Sequence, residues 1–151
     1  VKHIMRVIKN IFLLILLSLF SFPAYSELSV EEIIKGRQSI LSDNYKTAKR
    51  VAALSNDIEF EAAIELMNQM SENYETLLDY FPENSKEGFD TEALPAIWEN
   101  KDEFNALMQK ASDDMKQLAS IIENSDDIES SLNNLMWRNC KACHSKYRLD
   151  K

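Results

Sequence analysis

Between residues 30 and 148 the apolar positions recur every three to four residues in four separate stretches, the spacing of amphipathic helices. The first predicts a helix over 30–54, opened by a Ser29/Glu32 capping box in which each side chain satisfies an orphan amide. Its stripe is Val30, Ile33, Ile34, Ile40, Leu41, Tyr45, Ala48 and Ala52. The second covers 58–80, with Ile58, Ala62, Leu66, Met70, Tyr74, Leu77 and Leu78 as its stripe, and stops before Pro82. Residues 82–99, holding two prolines and Gly88, form one long connection. The third helix is expected over 101–123 with Asn100 as cap, and the fourth over 126–148. The stripe of the third is Phe104, Leu107, Met108, Ala111, Met115, Leu118 and Ile122; that of the fourth is Ile128, Leu132, Leu135, Met136, Cys140, Cys143 and Tyr147. No alternating run suggests a strand. Four such helices joined mostly by tight links predict an all-α fold, an antiparallel four-helix bundle.

The first 26 residues follow another pattern. Lys2, Arg6 and Lys9 precede an apolar run over 11–22, and Pro23-Ala24-Tyr25-Ser26 follows. Basic start, apolar middle and small-x-small exit are the layout of a secretory signal peptide. The run falls well short of the ~20 residues of a membrane-spanning helix. We therefore expect residues 1–26 to be removed after export, leaving 27–151 as the domain and no membrane attachment. An uncleaved anchor is the alternative.

Removal sharpens the composition. The chain has 17 Lys+Arg against 25 Asp+Glu and a net charge of −8. Without its first 26 residues the charge is −11. This disfavours nucleic acid as a partner. Two Gly and three Pro are too few for a turn-rich β-barrel or a Gly-rich phosphate loop. His3 leaves with the signal, so His144 is the remaining histidine.

Cys140-Lys141-Ala142-Cys143-His144 has the Cys-x-x-Cys-His pattern of covalent haem c attachment. On a helix Cys140 and Cys143 emerge on one side, within reach of the two vinyl groups of one porphyrin. His144, at i+4 from Cys140, can then meet the iron. Three alternatives compete. A thioredoxin-like redox pair needs a βαβ context. A zinc site lacks a second Cys/His pair. A plain disulfide leaves His144 unexplained.

With this motif on the last of four helices, the chain resembles the cytochrome c′ family. Arg37-Gln38-Ser39 is similar to that family's early Arg-Gln-Ser, and Pro95-Ala96-Ile97-Trp98 to its Pro-x-Ile-Trp. The stretch from Cys140 to Arg148 is close to its C-terminal signature. The resemblance implies one covalent haem c, with His144 on the iron and Leu41 on the opposite, distal side. Leu41 cannot ligate iron, and its bulk hinders large ligands while admitting a diatomic gas. It implies binding of NO and CO, discrimination against O₂ by an apolar pocket, and a periplasmic protein that is not an enzyme. A leucine at helical spacing is also what core packing demands, and a distal residue inside a bundle satisfies both.

The alternative is a six-coordinate electron-transfer cytochrome with a methionine distal ligand. Met67, Met70, Met108, Met115 and Met136 are available, though none lies on the first helix. The resemblance assigns Arg37 to the haem propionates, Arg148 to the proximal face, and Trp98 and Tyr147 to the porphyrin edge. Solvated arginines and ordinary core aromatics are the alternatives. It also allows a homodimer, although the stripes show no second apolar face. No motif specifies a redox partner.

Overall fold

A computed structural model describes residues 27–150; the expected signal peptide lies outside them. Helix α1 spans Val30–Asn56, α2 Phe60–Leu77, the short α3 Ala96–Glu99 and α4 Lys101–Ile121. The last helical stretch is α5 (Ile128–Leu132), a π turn over Asn133–Trp137, and α6 (Arg138–Tyr147). Among the described residues there is no strand, only an isolated antiparallel bridge between Ala93 and Arg148. None of the described helices is long and apolar enough to cross a membrane.

The four expected helices are present, with local corrections. Ser29 and Glu32 form the capping box as read. The stripe of α2 holds at Met70, Tyr74 and Leu77 but not in its first turns. Ile58 is 71% exposed at φ 66° and Ala62 is also exposed, while Ala63, Met67, Met70, Tyr74 and Leu77 are buried. The cause is at the turn: α1 continues to Asn56, the chain reverses through left-handed Ile58, and α2 opens only at Phe60. Tyr45 likewise lies outside the core at 56% exposure. The buried face of α1 passes through Ile34, Arg37, Asn44, Ala48 and Val51. Asn100 occupies the cap position of α4 without capping it; its Nδ2 donates backwards to the Ala96 carbonyl (3.0 Å). Asp127 caps α5 instead, accepting from the Ser130 amide at 2.9 Å.

Most of the packing is α1 on α2 and α2 on α4, with the π turn and α6 on α4. Small residues let α2 and α4 approach: Ser71 and Ser112 share a buried hydrogen bond of 2.8 Å, and Ser112 donates to Glu75 at 3.0 Å. Buried Asp114 of α4 takes Lys110 and accepts from Asn139 Nδ2 at 2.9 Å. That bond pins to α4 the residue directly before Cys140. The connection after α2 is tied to the end of α6, with the Leu94 amide on the Tyr147 carbonyl (3.0 Å) and the Leu149 amide on the Glu92 carbonyl (2.9 Å). Helices α1 and α6 are therefore each held by other elements, which leaves room between them.

Candidate functional site

That room is a cavity of about 680 Å³. Helix α1 contributes Arg37, Gln38, Leu41 and Tyr45; the connection contributes Thr91 and Ala93; α4 contributes Phe104 and Met108. Cys143, His144 and Tyr147 line it from α6, with Arg148 just beyond. Leu41 and His144, proposed from sequence to lie on opposite sides of one iron, thus share one cavity from two different helices.

Both cysteines are half-buried and unbonded. Burial raises the Cys140 pKa above its usual 9.0. It pushes Cys143 up to about 11, with the charge of Cys140 adding to the effect. Reactive thiols in disulfide exchange have depressed pKa values, so these cysteines do not resemble a redox pair. Burial, then the charge of Arg148, lowers His144 below its ordinary 6.5. The imidazole is therefore neutral at pH 7, with a lone pair free to bind a metal. Among the described residues no three His, Cys, Asp or Glu side chains are grouped to hold a metal ion by themselves.

Arg37 is 2% exposed. One terminal nitrogen donates to the Tyr80 carbonyl (3.1 Å) and Ser85 Oγ (2.8 Å), the other to the Ser85 carbonyl (2.8 Å) and Thr91 Oγ1 (2.8 Å). The guanidinium also lies 4.8 Å from the Phe81 ring centre and 5.7 Å from that of Trp98. These acceptors and rings are neutral, so they satisfy the donors without cancelling the charge. Burial accordingly lowers the Arg37 pKa from 12.5 to about 10. Gly36 is required one residue earlier: a Cβ there would sit 2.4 Å from Tyr80 Cε1. The close approach brings the Tyr80 carbonyl to Arg37.

The other expected site residues are placed unequally. Tyr147 is buried in the cavity wall, its ring edge-on to Phe104 at 5.3 Å. Arg148 is exposed and 4.0 Å from Glu92. Trp98 is not part of the lining; its indole donates to the Phe81 and Pro82 carbonyls (3.1 and 3.0 Å) and backs Arg37. Cys140 is not among the residues lining the cavity; it lies beside Tyr74 of α2. Sequence reasoning passed over Ser85 and Thr91, which hold Arg37, and gave no role to Gln38, whose Nε2 donates to the Phe89 and Asp90 carbonyls at 3.2 Å each. Those carbonyls belong to a turn with φ positive at Gly88, Phe89 and Asp90. No local pattern marks such partners, because they are 48 to 54 residues from Arg37 and Gln38 along the chain.

A c-type haem fits these residues. Two unbonded thiols share one face of α6, a neutral imidazole is at i+4, the cavity is largely apolar, and a buried cation stands in its wall for an anionic edge. Fold and site together define a helical-bundle c-type cytochrome carrying a single haem.

The profile of the cytochrome c′ family matches residues 32–148, and the chain belongs to that family. It is 29% identical over 123 residues to cytochrome c′ of Rhodopseudomonas palustris, covering 80% of this chain and 84% of the relative. It is 36% identical over 92 residues to cytochrome c-556 of Agrobacterium tumefaciens, covering 60% and 73%. The solved cytochrome c′ of Alcaligenes xylosoxidans, a ferrous variant with bound NO, superposes with a TM-score of 0.70 at 19% identity, covering 83% of this chain and 100% of that one. The protein is thus a monohaem c-type cytochrome, its haem c attached covalently through Cys140 and Cys143.

Proposed function

We propose that the protein is a periplasmic gas-binding cytochrome. In this reading His144 ligates the iron and the opposite position stays open beside Leu41. The observation that carries it is the cavity lining: α1 presents Leu41, which has no atom able to bind iron, to the cavity that His144 lines from α6. An open position supplies a site for NO and CO, and the bound NO of the Alcaligenes xylosoxidans relative supports that ligand class. The haem also supplies one-electron chemistry, so the protein can take part in electron transfer without being an enzyme. Arg37 offers charge to the propionates, and Arg148 stands at the proximal edge. Cys140 and Cys143 fix the ring between α1 and α6.

The methionine-ligated alternative has one candidate in the cavity, Met108. It lies on α4, one turn from Phe104, whose ring packs on Tyr147 of α6. Helix α1 itself offers the cavity Leu41 and no methionine, which favours the open site. An optical spectrum of the purified holoprotein tests the choice. We expect a high-spin ferrous haem whose Soret band moves when CO or NO is added. A low-spin spectrum indifferent to CO in the parent, turning CO-sensitive in Met108→Leu, would overturn the open-site reading.

A further inference from the structure

One of the largest side chains buried in the interior is a cation, Arg37. Burying an ionised group is expensive unless a counterion answers it. Among the described residues no carboxylate pairs with Arg37; its partners are two carbonyls, two hydroxyls and two rings. Even with its pKa lowered to about 10, the group stays protonated at neutral pH.

A propionate clamp is the simplest use of such a cation, and the hydrogen bonds argue against it. A guanidinium has four N–H groups on its terminal nitrogens and a fifth on Nε. Each terminal nitrogen of Arg37 already donates twice, so only the Nε–H is uncommitted. The fork that grips a carboxylate through two parallel bonds is spent on tying the connection after α2 to α1.

What reaches the cavity is the charge. Arg37 and Phe81 both line it, and a second cation stands at the same ring. Lys101 Nζ lies 5.6 Å from the Phe81 ring centre and 5.5 Å from that of Phe104, and donates to the Phe81 carbonyl at 3.0 Å. The lining also holds Glu92 and Arg148, 4.0 Å apart, whose opposite charges offset one another.

We propose that Arg37, reinforced by Lys101, tunes the haem by its field: a fixed positive charge in the cavity wall that favours the ferrous state. When a one-electron donor reduces the ferric haem, the cavity loses one positive charge and the repulsion from Arg37 is relieved. The effect does not depend on what stands on the other side of the iron, so it holds in the gas-binding and the methionine-ligated readings alike.

The midpoint potential of the holoprotein, from an optical redox titration, reads this directly. In Arg37→Gln the ferrous-to-ferric ratio at a fixed solution potential should fall by about tenfold, which for a one-electron couple is about 59 mV. Arg37→Lys keeps the charge while losing most of the hydrogen bonds, and should stay much nearer the parent. The gap between parent and Arg37→Gln should persist in high salt, because buried charges are screened weakly. Lys101→Gln should move the ratio in the same direction by less. It leaves the Arg37 anchor intact, so it decides the matter if no Arg37 variant takes up haem. A parent-like potential in Lys101→Gln, and in Arg37→Gln where that variant assembles, overturns the proposal. So does a fall in Arg37→Lys equal to that in Arg37→Gln, which traces the effect to the lost hydrogen bonds.

Discussion

Replacing Gly36 by alanine is the most direct test of the geometry that builds the arginine site. In an ordinary helix the change stabilises, because glycine costs about 1 kcal/mol relative to alanine. Here the added Cβ would lie 2.4 Å from Tyr80 Cε1 and 3.1 Å from Cδ1, where carbon atoms prefer roughly 3.5–4.0 Å. Relief has to come from turning the ring. The Tyr80 amide donates to Leu77 at 3.1 Å and its carbonyl accepts from Arg37 at 3.1 Å, so the backbone is held from both sides. Overpacking of this kind costs about 1–3 kcal/mol. Set against the helix gain, Gly36→Ala should destabilise by about 1 kcal/mol. In a Tyr80→Ala background the clash is gone and the same substitution should stabilise by about 1 kcal/mol. The coupling between the two sites is then about 2 kcal/mol, well above the non-additivity of distant sites. Urea unfolding of the four holoproteins, followed by far-ultraviolet circular dichroism, measures it. A higher midpoint for Gly36→Ala in the parent, or equal effects in both backgrounds, would refute the close-approach argument.

Three further predictions concern how the haem-bearing helix is held. Asn139→Ala removes a hydrogen bond from Asp114, a carboxylate only 7% exposed. It should cost about 1–3 kcal/mol in the same assay. Met136 is fully buried in the π turn before α6. Met136→Ala should cost about 2–5 kcal/mol, and a smaller loss would show that the turn collapses to fill the space. Glu103 is held below its ordinary 4.5 by a hydrogen bond from Lys146. A carboxylate with a lowered pKa contributes fully above its unfolded value, and that contribution is lost as pH falls through the folded value. Melting temperature should therefore fall less steeply below about pH 4.5 in Glu103→Gln than in the parent. Parallel curves would remove this pair from the acid response.

The helices were legible because their cause is local. Apolar residues every three to four positions, a Ser29/Glu32 box and a breaking proline each act within a few residues. The haem attachment was legible for the same reason, since Cys140, Cys143 and His144 lie within one turn and a half of α6. What escaped involved one residue's backbone or a distant partner. Ile58 adopts a left-handed conformation that β-branched residues rarely take, and the first turns of α2 bury Ala63 and Met67 in place of Ala62 and Leu66. Asn100 has the right type and place for a cap, yet its side chain turns to Ala96.

By itself, then, the sequence determined the number of helices, their amphipathic faces and the covalent anchor, all of them set by short-range sterics and periodicity. Only the tertiary structure decided that α1 faces α6 across a cavity, that Arg37 is buried among neutral acceptors, and that Asn44 of α1, Tyr74 of α2 and Cys140 of α6 meet in the interior. Each of these depends on side chains brought together from far along the chain. Their meeting is set by how α1, α2 and α4 pack, and no residue carries a local sign of it.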